Sequence, residues 1–136
     1  MESEFASFLL VGPDRKILLQ KRDWKKGVRY PGRWAIPGGA REERETFAEC
    51  AVREIVEETG VRVSVSDLQA LTDFSYSHKG VSYTGRIFLC YVGDVEIQSN
   101  EGQMYWKTLE EIKRLRLASN GDAVVPILEA RLMGEP

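Results

Sequence analysis

Residues 37–61 read Pro37-Gly38-Gly39-Ala40-Arg41-Glu42-Glu43-Arg44-Glu45-Thr46-Phe47-Ala48-Glu49-Cys50-Ala51-Val52-Arg53-Glu54-Ile55-Val56-Glu57-Glu58-Thr59-Gly60-Val61. This stretch decides the fold. Trp34 to Ile36 reads as a short strand that feeds a glycine turn at Gly38-Gly39, where two residues without side chains give the backbone unusual freedom. Thr46 followed three residues later by Glu49 is a capping box, and Gly60 is placed to end the helix it starts, so the spacing predicts a helix over Thr46 to Thr59. At about 100° per residue, Glu54, Glu57 and Glu58 fall within an arc of roughly 100° on one face. The other arc carries Ala48, Ala51, Val52, Ile55 and Val56, an apolar stripe suited to packing on a sheet. Three like charges on one face repel, and a hard divalent cation with oxygen ligands offsets them. Mg²⁺ fits best, because it keeps several waters and completes its shell with substrate phosphates.

The remaining sequence supplies the scaffold. Phe5 to Val11 and Lys16 to Lys21 read as strands around a Gly12-Pro13-Asp14 turn. Arg62 to Val65, Leu68 to Tyr76 and Val81 to Val92 also have strand character, with His78-Lys79-Gly80 joining the last two. Thr108 with Glu111 forms a second capping box, which predicts a short helix to Leu115. Ala123 to Met133 reads as a final amphipathic helix, with Pro126 tolerated only in its first turn. Strands interrupted by one long helix and closed by another imply an α/β protein with a mixed sheet between helices.

The chain of 136 residues is read as one domain, 1–136, with a net charge of −2 that gives no reason to expect general nucleic-acid binding. Lys21, Arg22, Lys25, Lys26, Arg29, Arg33, Arg41 and Arg44 nevertheless crowd the segment before and into the central stretch, where a polyphosphate would be attracted. Arg22 and Arg33 are taken from this group as substrate-binding candidates. Cys50 and Cys90 lack metal-type spacing and read as buried free thiols. His78 has no second imidazole and reads as a loop residue. Trp24, Trp34 and Trp106 could stack on a base but read as core or rim. The acidic N-terminus and the absence of a long apolar stretch point to a cytoplasmic protein without a membrane span.

The order Gly39, five residues, Glu45, seven residues, Arg53-Glu54-Ile55, one residue, Glu57-Glu58, one residue, Gly60-Val61 resembles the Nudix box, the signature of hydrolases that cleave nucleoside diphosphates linked to another group. The resemblance implies an α/β/α sandwich. It implies Glu57 and Glu58 as principal metal ligands, Glu54 as general base as well as ligand, and the Gly38 carbonyl as a further ligand. Arg53 and Glu45 would orient them, a guanidinium gripping a carboxylate bidentately. The cofactor implied is Mg²⁺, with Mn²⁺ as a substitute.

Two patches resemble MutT-type nucleoside triphosphate pyrophosphohydrolases. Glu101-Gly102-Gln103 with Trp106 places Glu101 as an additional metal ligand or base. Ala118-Ser119-Asn120 places Asn120 as a reader of the base edge, although Asn120 and Gly121 can equally start the last helix. No proline lies between Pro37 and Pro126, which counts against the ADP-ribose hydrolases of the family. Tyr76 keeps the dinucleoside polyphosphate hydrolases open. The expected reaction is hydrolysis of a nucleoside triphosphate, oxidised forms included, to monophosphate and pyrophosphate. The partner expected is thus a small nucleotide. Removal of pyrophosphate from RNA 5′ ends and a non-hydrolysing nucleotide sensor are the other readings.

Overall fold

The computed structural model describes residues 2–22, 33–98 and 103–134. Strand β1 (Glu2–Val11) is the axis of the sheet, and its stretch from Ala6 to Val11 is buried without interruption. A strand covered on both faces needs that kind of run. Phe8 and Leu10 pack with Ile55 on one side, whereas Leu9 and Val11 pack with Leu128 and Leu132 on the other. Each such fully buried side chain contributes about 1.5–3 kcal/mol relative to exposure.

Around β1 lie β2 (Ile17–Lys21), β3 (Trp34–Ala35), β4 (Gly38–Ala40), β5 (Leu68–His78), β6 (Val81–Tyr91) and β7 (Gln103–Lys107). The sheet order is β3-β2-β1-β6-β5, with β4 paired to the first half of β1 and β7 paired to β2. The β1–β6 pair is parallel and every other pair is antiparallel. Helix α1 (Phe47–Thr59) covers one face. The pair α2 (Leu109–Lys113) and α3 (Val125–Met133) covers the other, held together by an ion pair between Lys113 and Glu129. The result is the expected α/β/α sandwich with a mixed sheet.

Both capping boxes form as the sequence predicts. The Thr46 hydroxyl accepts from the Glu49 amide at 3.0 Å while the Glu49 carboxylate accepts from the Thr46 amide at 2.8 Å, and Gly60 closes α1 in the left-handed region at φ 77°. Thr108 and Glu111 repeat the arrangement on α2, which ends at Lys113 rather than Leu115. Pro126 does sit in the first turn of α3, after a 3-10 turn over Gly121–Val124.

Two expectations need correction, and one strand joins those expected. Gly38 and Gly39 do not turn in the left-handed region but form β4 against β1. Arg62 to Val65 is not a strand: the chain enters a 3-10 turn at Val65–Asp67, where the Asp67 carboxylate accepts from the Ser64 amide at 2.8 Å. Such local side-chain bonds compete with strand pairing. Strand β7 was not anticipated, although Met104 and Trp106 alternate into the core beside Leu18 and Ile55.

Candidate functional site

Glycine is required at β4 by close approach. A Cβ on Gly38 would lie 2.3 Å from the Ala6 carbonyl oxygen, and one on Gly39 would lie 2.2 Å from Oε1 of Glu54. The strand therefore presses against β1 on one side and receives a carboxylate from α1 on the other. This revises the expected orientation of the helix. Its buried residues are Cys50, Ala51, Glu54, Ile55, Glu58 and Thr59, while Ala48, Val52 and Val56 are only half-buried. The acidic arc does not face away from the sheet. Glu54 and Glu58 turn inward, one helical turn apart, because the bare backbone of β4 leaves room for them.

Arg53 holds this junction. Its Nε and Nη2 donate to the two carboxylate oxygens of Glu45 at 2.7 and 2.9 Å, the bidentate grip expected from the sequence. Nη2 also donates to the Ala40 carbonyl at 3.0 Å, and Nη1 reaches Glu54 at 3.0 Å and Glu57 at 3.3 Å. One guanidinium thereby ties the loop before α1, strand β4 and two helix carboxylates together. The hydrogen bonds from Arg53 hold the Glu45 carboxyl down at about 2, and Glu45 in return raises the pKa of Arg53. The Cys50 thiol beside this clamp is pushed up to about 12, chiefly by burial, and Cys90 to about 11, so both stay protonated structural thiols.

Glu57 keeps 56% of its side chain exposed, whereas Glu58 is 2% exposed and lines a cavity. Among the described residues, no three carboxylate, histidine or cysteine side chains converge closely enough to enclose a cation. Two of the helix carboxylates lean on Arg53 instead. The donor set still fits a hard divalent ion: Glu54, Glu57 and Glu58 offer only oxygens, and Gly38 lines the same cavity as Glu58. Glu101 lies outside the described residues.

The cavity measures about 290 Å³ and runs from Gly38, Gly39, Ala40 and Glu58 to Phe74, Ser119 and Gly121. Gln20 and Arg22 enter it from the end of β2. Its wall is aromatic: Tyr76 stacks on Tyr83 with ring centres 4.8 Å apart and planes 10° apart, and Phe5 and Phe74 flank Tyr76. Arg22 is thus in the cavity. Arg33 and Asn120 are not: they line an adjoining groove of about 680 Å³ with Arg116, Ser75 and Asp122, which shares Phe74 and Ser119 with the cavity.

Asn120 has a structural reason of its own. Ser119 and Asn120 are both left-handed, at φ 57° and 60°, and the Gly121 amide donates to the Ala118 carbonyl at 3.0 Å. This is a type I′ turn, in which asparagine is favoured. Asn120 makes no side-chain cap to the turn that follows.

The described members of the basic cluster have separate surroundings. Arg41 forms an ion pair with Glu4 and donates to the Glu45 carbonyl at 2.7 Å, Lys21 lies over the Trp34 ring at 5.7 Å, and Arg44 is exposed. Lys25, Lys26, Arg29 and Trp24 lie outside the described residues. Trp34 packs edge-on to Tyr105 and Trp106 joins the core, neither lining the cavity. His78 stands at the end of β5, next to the Lys79-Gly80 turn.

Tyr83, Phe74, Gln20 and Arg116 were not singled out from the sequence. Tyr83 had a signal: a two-residue turn at Lys79-Gly80 pairs His78 with Val81 and therefore Tyr76 with Tyr83.

A family model described as the NUDIX domain matches residues 4–127. Nucleoside triphosphatase NudI of Enterobacter sp. (strain 638) is 31% identical over 111 residues, a match covering 74% of this chain and 78% of that protein. Putative nudix hydrolase 1 of Caenorhabditis elegans is 27% identical over 122 residues, covering 87% of this chain but only 31% of that longer protein. Among solved structures, the MutT protein of Methanosarcina mazei Go1 superposes with a TM-score of 0.80 at 20% identity, covering 96% of this chain and 95% of that one. That likeness shows the shared fold.

Proposed function

Because this chain belongs to the Nudix domain family, we propose that it is a cytoplasmic Mg²⁺-dependent hydrolase that cleaves a phosphoanhydride bond in a nucleoside diphosphate-linked substrate. The substrate class favoured is a nucleoside triphosphate, cleaved to monophosphate and pyrophosphate. One observation carries the reading: α1 turns two carboxylates inward beside β4, Glu54 bonded to the Arg53–Glu45 clamp and Glu58, one turn on, lining a cavity with an aromatic wall. The name of the enterobacterial relative supports the triphosphate over the other substrate classes. Mg²⁺, or Mn²⁺ in its place, would be held by Glu54, Glu57, Glu58, the Gly38 carbonyl and Glu101. When bound it would neutralise phosphate charge and lower the pKa of water.

The chain's own residues do the rest. A water oxygen bonds to phosphorus, the bond from that phosphorus to the bridging oxygen breaks, and pyrophosphate leaves. The water proton passes to a carboxylate oxygen of Glu54 as general base. Arg53 and Glu45 hold α1 and the β4 loop in register, so Glu54 meets the substrate in one geometry. Arg22 binds a phosphate oxygen at the cavity mouth, and Tyr76 and Tyr83 offer a flat apolar wall to the base. Arg33 and Asn120 contact the substrate from the adjoining groove.

The test is pyrophosphate and phosphate release from nucleoside triphosphates, 8-oxo-dGTP, diadenosine polyphosphates, ADP-ribose and triphosphorylated RNA, each with Mg²⁺ and with chelator. Metal-dependent cleavage concentrated on the triphosphates is the expected result. Tight binding of one nucleotide without cleavage of any would make the protein a sensor instead.

A further inference from the structure

The two glycines of β4 face opposite sides of the strand. A Cβ on Gly39 would meet the Glu54 carboxylate, whereas one on Gly38 would lie 2.7 Å from Oγ of Ser7 on β1. Strand β4 is therefore a bare partition, with a carboxylate of α1 on one side and a hydroxyl on the other. The cavity is lined from both sides, by Glu58 and by Ser7.

Ser7 belongs to the α3 side of the sheet. Side chains alternate along a strand, so Ser3, Phe5 and Ser7 share a face with Leu9, which packs with Leu128. Directly beside them on β6 stand Tyr83, Gly85 and Ile87. Ser7 is only 8% exposed, and Ile87 beside it and the cavity residues Ala35 and Ala118 are buried and apolar. Among the described residues its hydroxyl makes no hydrogen bond. A hydroxyl without a partner in such surroundings is costly, and a ligand that supplies one removes that cost.

The position of Ser7 selects the ligand group. Resting on the proposed function, the phosphoanhydride lies with the α1 carboxylates and the base lies against Tyr76 and Tyr83. Ser7 pairs with Gly38, one strand and about 4.8 Å away, while Ile87 beside Ser7 lies four residues and about 13 Å from Tyr83 along β6. Once a substrate passes β4, the group that follows its phosphates is the ribose. A serine hydroxyl donates one bond and accepts others, as a sugar hydroxyl does, so the two satisfy each other without burying a charge. We propose that the Ser7 hydroxyl binds a secondary hydroxyl of the substrate's ribose and so determines sugar specificity.

Calorimetry in chelator reads this contact without turnover, using the 5′-monophosphates of adenosine, guanosine, cytidine and uridine with their 2′-deoxy and 3′-deoxy forms. For the base that binds best, one deoxy form is expected to bind about tenfold more weakly than its parent, and Ser7→Ala to bring that ratio close to one. Weaker binding of the 2′-deoxy form assigns the 2′ hydroxyl, and of the 3′-deoxy form the 3′ hydroxyl. Ser7→Ala removes an oxygen that makes no bond in the fold, so its urea midpoint is expected to match that of the unaltered protein. Equal affinities of parent and both deoxy forms, no binding of any monophosphate, or a ratio that Ser7→Ala leaves untouched would overturn the proposal. If the hydrolase reading fails, cleavage is absent from every triphosphate while the deoxy ratio stands.

Discussion

Two helices cover the two faces of one sheet, and they bury opposite chemistry at the same spacing. Helix α3 turns Leu128 and Leu132 inward, four residues apart, into the larger apolar core. Helix α1 turns Glu54 and Glu58 inward at that same interval, beside Ile55 and Ala51. A buried carboxylate is costly unless it is bonded and given space. Gly39 supplies the space and Arg53 donates a hydrogen bond to Glu54. The two helices divide the labour: α3 contributes stability, whereas α1 gives up apolar burial to hold carboxylates beside β4, where the proposed hydrolysis would use them.

The largest effect on stability is expected at α3. Leu128→Ala removes a fully buried side chain from the core and is expected to cost about 3 kcal/mol in urea unfolding, while kcat per folded molecule stays unchanged. A large fall in kcat with little loss of stability would show that the α3 face takes part in catalysis. On the α1 side, Gly39→Ala drives a methyl group into the Glu54 carboxylate, and turnover is expected to fall by on the order of tenfold to a hundredfold. Unchanged turnover in that variant would mean that Glu54 works from another position.

The clamp itself contributes a modest, pH-dependent part of the stability. Glu45 titrates near 2 instead of the ordinary 4.5 because Arg53 bonds its charged form. A depressed carboxyl stabilises the fold fully above its unfolded value, and that stability is lost as pH falls through the folded value. The urea midpoint of the unaltered protein should therefore fall more steeply between about pH 4.5 and pH 2 than that of Glu45→Gln. Parallel pH profiles would show that the pair adds nothing to stability.

Much of this was legible in the chain because it is written in local chemistry. The capping boxes at Thr46 and Thr108, the stop at Gly60 and the grip of Arg53 on Glu45 depend on residues within a few positions of one another, or on one charge pair. The inward turn of Glu54 and Glu58 was not legible. It depends on β4 lying against β1, a contact between Gly38 and Ser7 that no periodicity in α1 encodes. Arg62 to Val65 misled because its alternation looks like a strand while Ser64 and Asp67 satisfy the backbone locally. Arg116 joins Arg33 only because the loop after α2 is pinned to Trp34, again a long-range bond. The type I′ turn explains why asparagine stands at position 120.

The central claim is that the carboxylates of α1 perform chemistry and do not merely decorate a helix. It is tested most directly by turnover of Glu54→Gln, Glu57→Gln and Glu58→Gln at saturating substrate and Mg²⁺, each measured beside its urea midpoint. The account predicts a loss of at least about a hundredfold in each variant, with midpoints close to that of the unaltered protein. Full activity in all three would contradict it.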